Sequence, residues 1–185
     1  VFVKSGDVWS FAAKLTASDG ETSDSFGSSV ALDGNVALVG AYLDNMVGNS
    51  NQGSAYVFVK PASGWTTGTE TAKLTASDGT GSDFFGNSVA LDGDTAIIGA
   101  FGDNSYKGVA YVFVKPGGGW ATTSAFNAKL TVSDGATGDR FGYAVALSGD
   151  TALIGASAKN VGDGAAYIFK KPGGGWATTS TYTAL

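Results

Sequence analysis

Cysteine and histidine are absent from the 185 residues of this chain. That excludes disulfides, thiol nucleophiles, zinc sites of the usual Cys/His type and every histidine-based triad. Arginine occurs once, as Arg140, and the formal net charge is -5 with a pI near 4.5. Nucleic-acid binding draws much of its affinity from clustered Lys and Arg, so no nucleic-acid partner is expected. Glutamate occurs only as Glu21 and Glu70, at unrelated repeat positions. Acid/base work by paired carboxylates needs one of them held in a shifted state by its surroundings, and periodic turn aspartates show no such asymmetry. An enzyme is not expected. No run approaches the roughly 18 uninterrupted apolar residues of a membrane span, so membrane insertion is not expected either. Residue 1 opens directly on a strand-like "VFVK", and any export signal is expected upstream of it and removed.

What is present is ordinary globular material, 43% hydrophobic and 15% charged, written in near-copies. "SDSFGSSVALDGNVALVGAYLDN" returns as "SDFFGNSVALDGDTAIIGAFGDN" and as "DRFGYAVALSGDTALIGASAKN". Trp9, Trp65, Trp120 and Trp176 are spaced 56, 55 and 56 apart, and Phe26-Gly27, Phe85-Gly86 and Phe141-Gly142 are spaced 59 and 56 apart. Each unit holds four short apolar runs, in the middle unit "NSVAL", "TAIIGA", "VAYVFVK" and "WATTSAFNAKLTV". Asp33-Gly34, Asp92-Gly93 and Ser148-Gly149 join the first two runs, and Asp-Gly between β-formers predicts a type I′ hairpin. The third run is apolar on both faces (Tyr111 and Phe113 against Val112 and Val114), as in a strand covered on both sides. "KPASGW" and "KPGGGW" stop it and set a wide turn. No helix-period segment is found.

Four antiparallel strands per unit, buried on both faces, with a period in the fifties, predict an all-β fold: a β-propeller of four-stranded antiparallel blades, about three and a half of them in this chain. Residues 1–25 read as a half blade (the outer two strands) and a lead-in loop. Blades follow over 26–82, 83–138 and 139–185. Gly40-Ala41, Gly99-Ala100 and Gly155-Ala156 are expected to end the second strand where crowding leaves no room for side chains. The Phe of each Phe-Gly pair is expected to wedge against the adjacent blade, the tryptophans to anchor the blades, and Lys14, Lys73 and Lys129 to blunt an exposed outer strand. Propellers close with 4 to 8 blades, so this chain is expected to be part of a longer array or to be completed by other copies.

Phe-Gly at 26, 85 and 141, Gly-Ala at 40, 99 and 155, and the following "AYVF" or "AYIF" resemble the FG-GAP repeat of integrin-α-type β-propellers, most closely its bacterial secreted or cell-surface form. The resemblance implies a non-enzymatic extracellular module for adhesion, scaffolding or self-assembly, partnered by other blades, a cell-surface protein or a glycan. In that family calcium often sits in an Asp-rich loop between the Phe-Gly and Gly-Ala strands. Here "LDGN", "LDGD" and "LSGD" are too short to wrap an ion that takes 6 to 8 oxygens, so that site is not carried over to Asp33, Asp92 or Asp150.

The lead-in loops and the loops after the second strand emerge on one face and supply Asp19, Asp24 and Asp44, then Asp78, Asp83 and Asp103, then Asp134 and Asp139. Such hard oxygen donors suit Ca2+; the alternative is that they only form turns. No cofactor is required by either reading. The third unit, degraded to Lys159-Asn160, is expected to hold the weakest site. Tyr42, Asn45, Phe101 and Asn104 are the candidate ligand contacts of a carbohydrate-binding alternative.

Overall fold

Gly34, Gly93 and Gly149 turn the chain at φ of 53°, 55° and 54°, a left-handed conformation that glycine reaches without steric penalty. The computed structural model describes residues 1–183. Its first elements are β1 (Phe2–Ser5), β2 (Val8–Phe11) and the two-residue β3 (Leu15–Thr16). The first complete blade contains β4 (Ser29–Asp33), β5 (Val36–Ala41), β6 (Ser54–Val59), the short β7 (Gly68–Thr69) and β8 (Ala72–Leu74). The second has β9 (Ser88–Asp92), β10 (Thr95–Ala100), β11 (Val109–Val114) and β12 (Ala128–Leu130), and the third β13 (Phe141–Ser148), β14 (Thr151–Ala156) and β15 (Ala165–Lys170). The three blade sheets run β4-β5-β6-β8, β9-β10-β11-β12 and β13-β14-β15, with every pairing inside them antiparallel, while β1 pairs with β2 and β7 leaves its blade to pair with β3. The chain is therefore all-β, built as propeller blades. The fourth strand expected in the last blade runs into residues 184–185, which lie outside the described residues.

The hairpins are tight, but their register differs from the expected one. Asp33 pairs with Val36 and Asp92 with Thr95, so the aspartates end their strands and Gly34-Asn35 and Gly93-Asp94 form the turns. Only the first turn residue has positive φ, the pattern of type II′ rather than I′. That leaves each Asp side chain free to reach beyond its own blade.

The two repeat motifs interlock between neighbours. A Cβ on Gly40 would run into the carbonyl of Gly86, and one on Gly99 into the carbonyl of Gly142, so the Gly-Ala end of one blade touches the Phe-Gly backbone of the next. Phe85 wedges as expected. It packs on Tyr111 and Phe113 of its own sheet, with ring centroids 5.5 and 6.1 Å away, and shares one core with Leu38, Ala55 and Val57 of the preceding blade. A second core joins Ile97, Ala110 and Val112 to Phe141, Ile154 and Phe169. Stability thus lies mainly between sheets, where apolar area leaves water.

The run after each tryptophan is not one strand. Its Thr/Ser segment crosses to the preceding blade and pairs in parallel with that blade's outer strand. Thr123 N donates to Lys73 O at 3.0 Å and Thr75 N to Thr123 O at 3.2 Å; Thr179 repeats this on Lys129 and Thr131, and β7 does so on β3. The outer strands carrying Lys73 and Lys129 are therefore covered, which overturns their expected role as edge blockers. Trp120 and Trp176 are buried and Trp65 half-buried in the blade cores. Trp9 is not an anchor: "KSGDVW" turns tightly at Gly6, which puts Trp9 in β2 of a hairpin whose residues are all exposed. Among the described residues helical geometry is confined to one-turn segments, Asp103–Tyr106 and Lys159–Gly162, and within them Asn104, Ser105, Asn160 and Val161 are left-handed.

Candidate functional site

β6 and β11 each carry a buried tyrosine as their third residue, Tyr56 and Tyr111, whose hydroxyl meets aspartates of the lead-in loop and of the loop after the second strand. The Tyr56 hydroxyl lies 2.9 Å from both Asp19 Oδ1 and Asp44 Oδ2, its single proton shared between the two acceptors, and the Ser54 hydroxyl donates to Asp44. From β8, Lys73 Nζ reaches between the same carboxylates, 2.6 Å from Asp19 and 2.7 Å from Asp44, 5.1 Å from the Tyr56 ring centroid. The next blade repeats the arrangement. The Tyr111 hydroxyl lies 2.9 Å from Asp78 and 3.2 Å from Asp103, and Lys129 Nζ lies 2.9 and 3.0 Å from those carboxylates. In the third unit Lys159 Nζ lies 3.3 Å from Asp134 and 3.1 Å from Asp139, and Tyr167 donates to Asp134 at 3.3 Å.

The electrostatics follow from that geometry. Burial alone would raise the pKa of Asp19 and Asp78, but hydrogen bonds from the lysine and the tyrosine outweigh it and hold both below the ordinary carboxyl value. Burial would likewise lower the pKa of Lys73, Lys129 and Lys159, yet their carboxylate partners hold them above the ordinary ammonium value. The three tyrosines are pushed up, first by burial and then by the adjoining aspartates.

Asp24, Asp83 and Asp139 occupy a different place. Each is buried within its own loop and accepts a backbone amide three residues upstream: Glu21 N at 2.6 Å, Thr80 N at 2.6 Å and Ala136 N at 2.7 Å. These are turn-forming carboxylates. Asp83 is pushed up by burial, with the Asp103 charge adding to it, whereas the Ala136 amide and Lys159 hold Asp139 down against burial.

The residues do not fit a resident calcium ion. The space between the carboxylates is taken by an ammonium, and among the described residues no group of three or more His, Cys, Asp or Glu is gathered for a metal. The hairpin aspartate is engaged elsewhere, because Asp33 Oδ2 accepts the amide of Gly93 in the next blade at 2.7 Å.

On the same face the structure gathers Tyr42 and Phe101 with three rings that the sequence reading missed: Phe84, Tyr106 and Tyr143. Phe84 stacks on Phe101 at 4.9 Å and 12°, with Tyr42 6.1 Å from Phe84 and Tyr143 5.4 Å from Phe101. Tyr106 lies 6.2 and 6.1 Å from that stacked pair. Phe84 and Tyr106 sit at φ of 56° and 62°, uncommon for bulky side chains. The strip spans three blades, with Tyr106 and Tyr143 the most exposed. Asn45 accepts the amide of Asn51 at 2.9 Å and serves its own loop; Asn104 is exposed beside Tyr106 in the left-handed turn.

A family model described as FG-GAP repeat matches residues 9–58, 68–113 and 125–169. No curated protein is matched. With three in-phase matches over most of its length, laid on sheets whose Phe-Gly and Gly-Ala backbones interlock, the chain belongs to the FG-GAP repeat family.

Proposed function

We propose that this chain is a non-enzymatic extracellular propeller module that works by adhesion or assembly, with its outward blade faces docking further blades of the same kind. One observation carries the reading: positions buried between blades are exposed on the outer sheets. Val89 is 7% exposed between the first and second blades, while Val30, its equivalent on the first blade's outer face, is 68% exposed beside Leu32 at 65%. Ile97 is fully buried, while its equivalent Leu153 is 45% exposed on the third blade. Contiguous apolar surface of this kind marks an interaction site, and the chemistry of its partner is that of the interfaces already formed inside the chain. The commitment of the site carboxylates to lysines and amides supports a non-enzymatic role. No helix among the described residues is long and apolar enough to cross a membrane.

Light scattering of the 185-residue chain is expected to give a mass above 18.5 kDa, lowered to that value by Leu153→Asp with Val30→Asp. A strict monomer at every concentration overturns the proposal.

The aromatic strip favours a second reading, a neutral glycan stacked on Tyr106, Tyr143 and the Phe84/Phe101 pair. Binding on a glycan array that is lost in Phe101→Ala and Tyr143→Ala supports it; a blank array, or binding unchanged in both variants, counts against it.

A further inference from the structure

We propose that each repeat contains one cation position between its lead-in-loop aspartate and the loop that follows the second strand, and that this chain fills it internally with a lysine ammonium in place of a metal ion. The third unit carries the argument. Asp44 and Asp103 lie four positions after Gly40 and Gly99, and four positions after Gly155 the sequence has Lys159. Lys129 lies nine positions after Trp120, and nine after Trp176 the sequence has Leu185. Both sequence positions have changed: the carboxylate has become a lysine, and the position in register with Lys129 holds a leucine.

The ammonium nevertheless returns to the same place from a different element. Lys159 Nζ is 3.3 Å from Asp134, the counterpart of Asp19 and Asp78, beside the hydroxyl of Tyr167, the counterpart of Tyr56 and Tyr111. Its second partner becomes Asp139, the turn carboxylate, so each unit still has two carboxylates about one ammonium. The physical requirement is clear. The tyrosine side chains are wholly buried and their hydroxyls point at the carboxylates, so a carboxylate there without a counter-charge would stand partly desolvated and unpaired, which is strongly unfavourable. A metal ion can meet that need, and so can a tethered ammonium, which also cannot dissociate. The turn aspartates differ in the same sense: Asp83 is raised chiefly by burial with the Asp103 charge adding to it, whereas at Asp139 the Ala136 amide and then Lys159 outweigh burial and lower it.

The test transplants the third unit's solution into the second. Urea midpoints of the full chain are measured for Asp103→Lys, Lys129→Leu and the double variant. Each single change is expected to lower the midpoint, and the double variant to recover about half or more of the summed loss, the non-additivity expected of groups sharing one site. Additive losses overturn the proposal. The unaltered chain provides a second measurement that does not depend on variant folding. In chelator, nitrogen-detected NMR is expected to show three ammonium groups with slowed proton exchange, and thermal melts are expected to give the same melting temperature in chelator as in a separate sample with millimolar calcium. Fast-exchanging ammoniums, or melting that falls on chelation, overturn it.

Discussion

Asp92 of the second blade holds the hairpin of the third: its Oδ2 accepts the amide of Gly149 at 2.5 Å. Asp33 does the same for Gly93 one blade earlier. Because the turn glycine, not the aspartate, takes the first turn position, the carboxylate points across the blade boundary instead of into its own loop.

Asp92→Ala is expected to lower stability by about 1 kcal/mol, the net worth of a partly exposed hydrogen bond to a charged acceptor. Asp94→Ala, which removes an exposed ion pair with Lys115 in the same turn, is expected to change it by less than about 0.5 kcal/mol. Urea titration of both variants checks the contrast; equal losses would show that the reach across the boundary contributes nothing.

Gly99→Ala is expected to cost about 1–3 kcal/mol, the range for an extra methyl forced into packed surroundings, because its Cβ would meet backbone of the neighbouring blade. Gly155→Ala occupies the equivalent repeat position, but its Cβ would meet only Ala144, the Cβ at 3.7 Å and the carbonyl oxygen at 3.8 Å, both ordinary contacts. Thermal melts of the two variants should separate clearly, and coincident melts would contradict backbone contact between the blades.

The hairpins and the doubly buried third strand were legible because each is encoded within about 25 neighbouring residues by turn chemistry and apolar runs, and the repeat because its motifs return at spacings of 55 to 59 residues. The pairing of Thr123 with the strand around Lys73 was not, because its partner lies about 50 residues away and a lone threonine run carries no sign of direction. Lys73 read as an exposed edge charge for the same reason. Nothing local shows that its outer strand is covered or that a long side chain spans two loops. Asp19 and Asp44 meet at Lys73, which stands 54 and 29 residues away in sequence, beyond the reach of any local pattern. Phe84, Tyr106 and Tyr143 escaped notice because their repeat equivalents are not aromatic: Phe84 aligns with Ser25 and Arg140. A search for departures from the repeat, rather than for its constants, would have found them.

Stability is expected to hold across neutral pH and fall at both extremes. Asp19, Asp78 and Asp139 are held below 3.8 when folded, so their contribution is present above that value and lost as pH falls through the folded one. Asp83, raised by burial, works in the opposite sense. Lys73, Lys129 and Lys159 are held above 10.5 and the three buried tyrosines above 10.0. Their contribution is complete below those values and lost as pH rises through the folded ones. Urea midpoints from acid to alkaline pH should trace this plateau, and an alkaline fall beginning well below pH 10 would contradict the lysine assignment.

Trp120→Ala is expected to cost about 3–5 kcal/mol, the range for truncating a buried large aromatic, whereas Trp9→Ala should stay within about 0.5 kcal/mol as an exposed substitution. The sequence treats the two alike, because both hold the repeat-locked position after a turn. The structure separates them: Trp120 closes the core that contains Leu74 and Phe113, while Trp9 stands on a two-stranded hairpin with 64% of its surface in water. Comparable losses in denaturant titrations would place Trp9 against a blade after all, and with it the whole hairpin of β1 and β2.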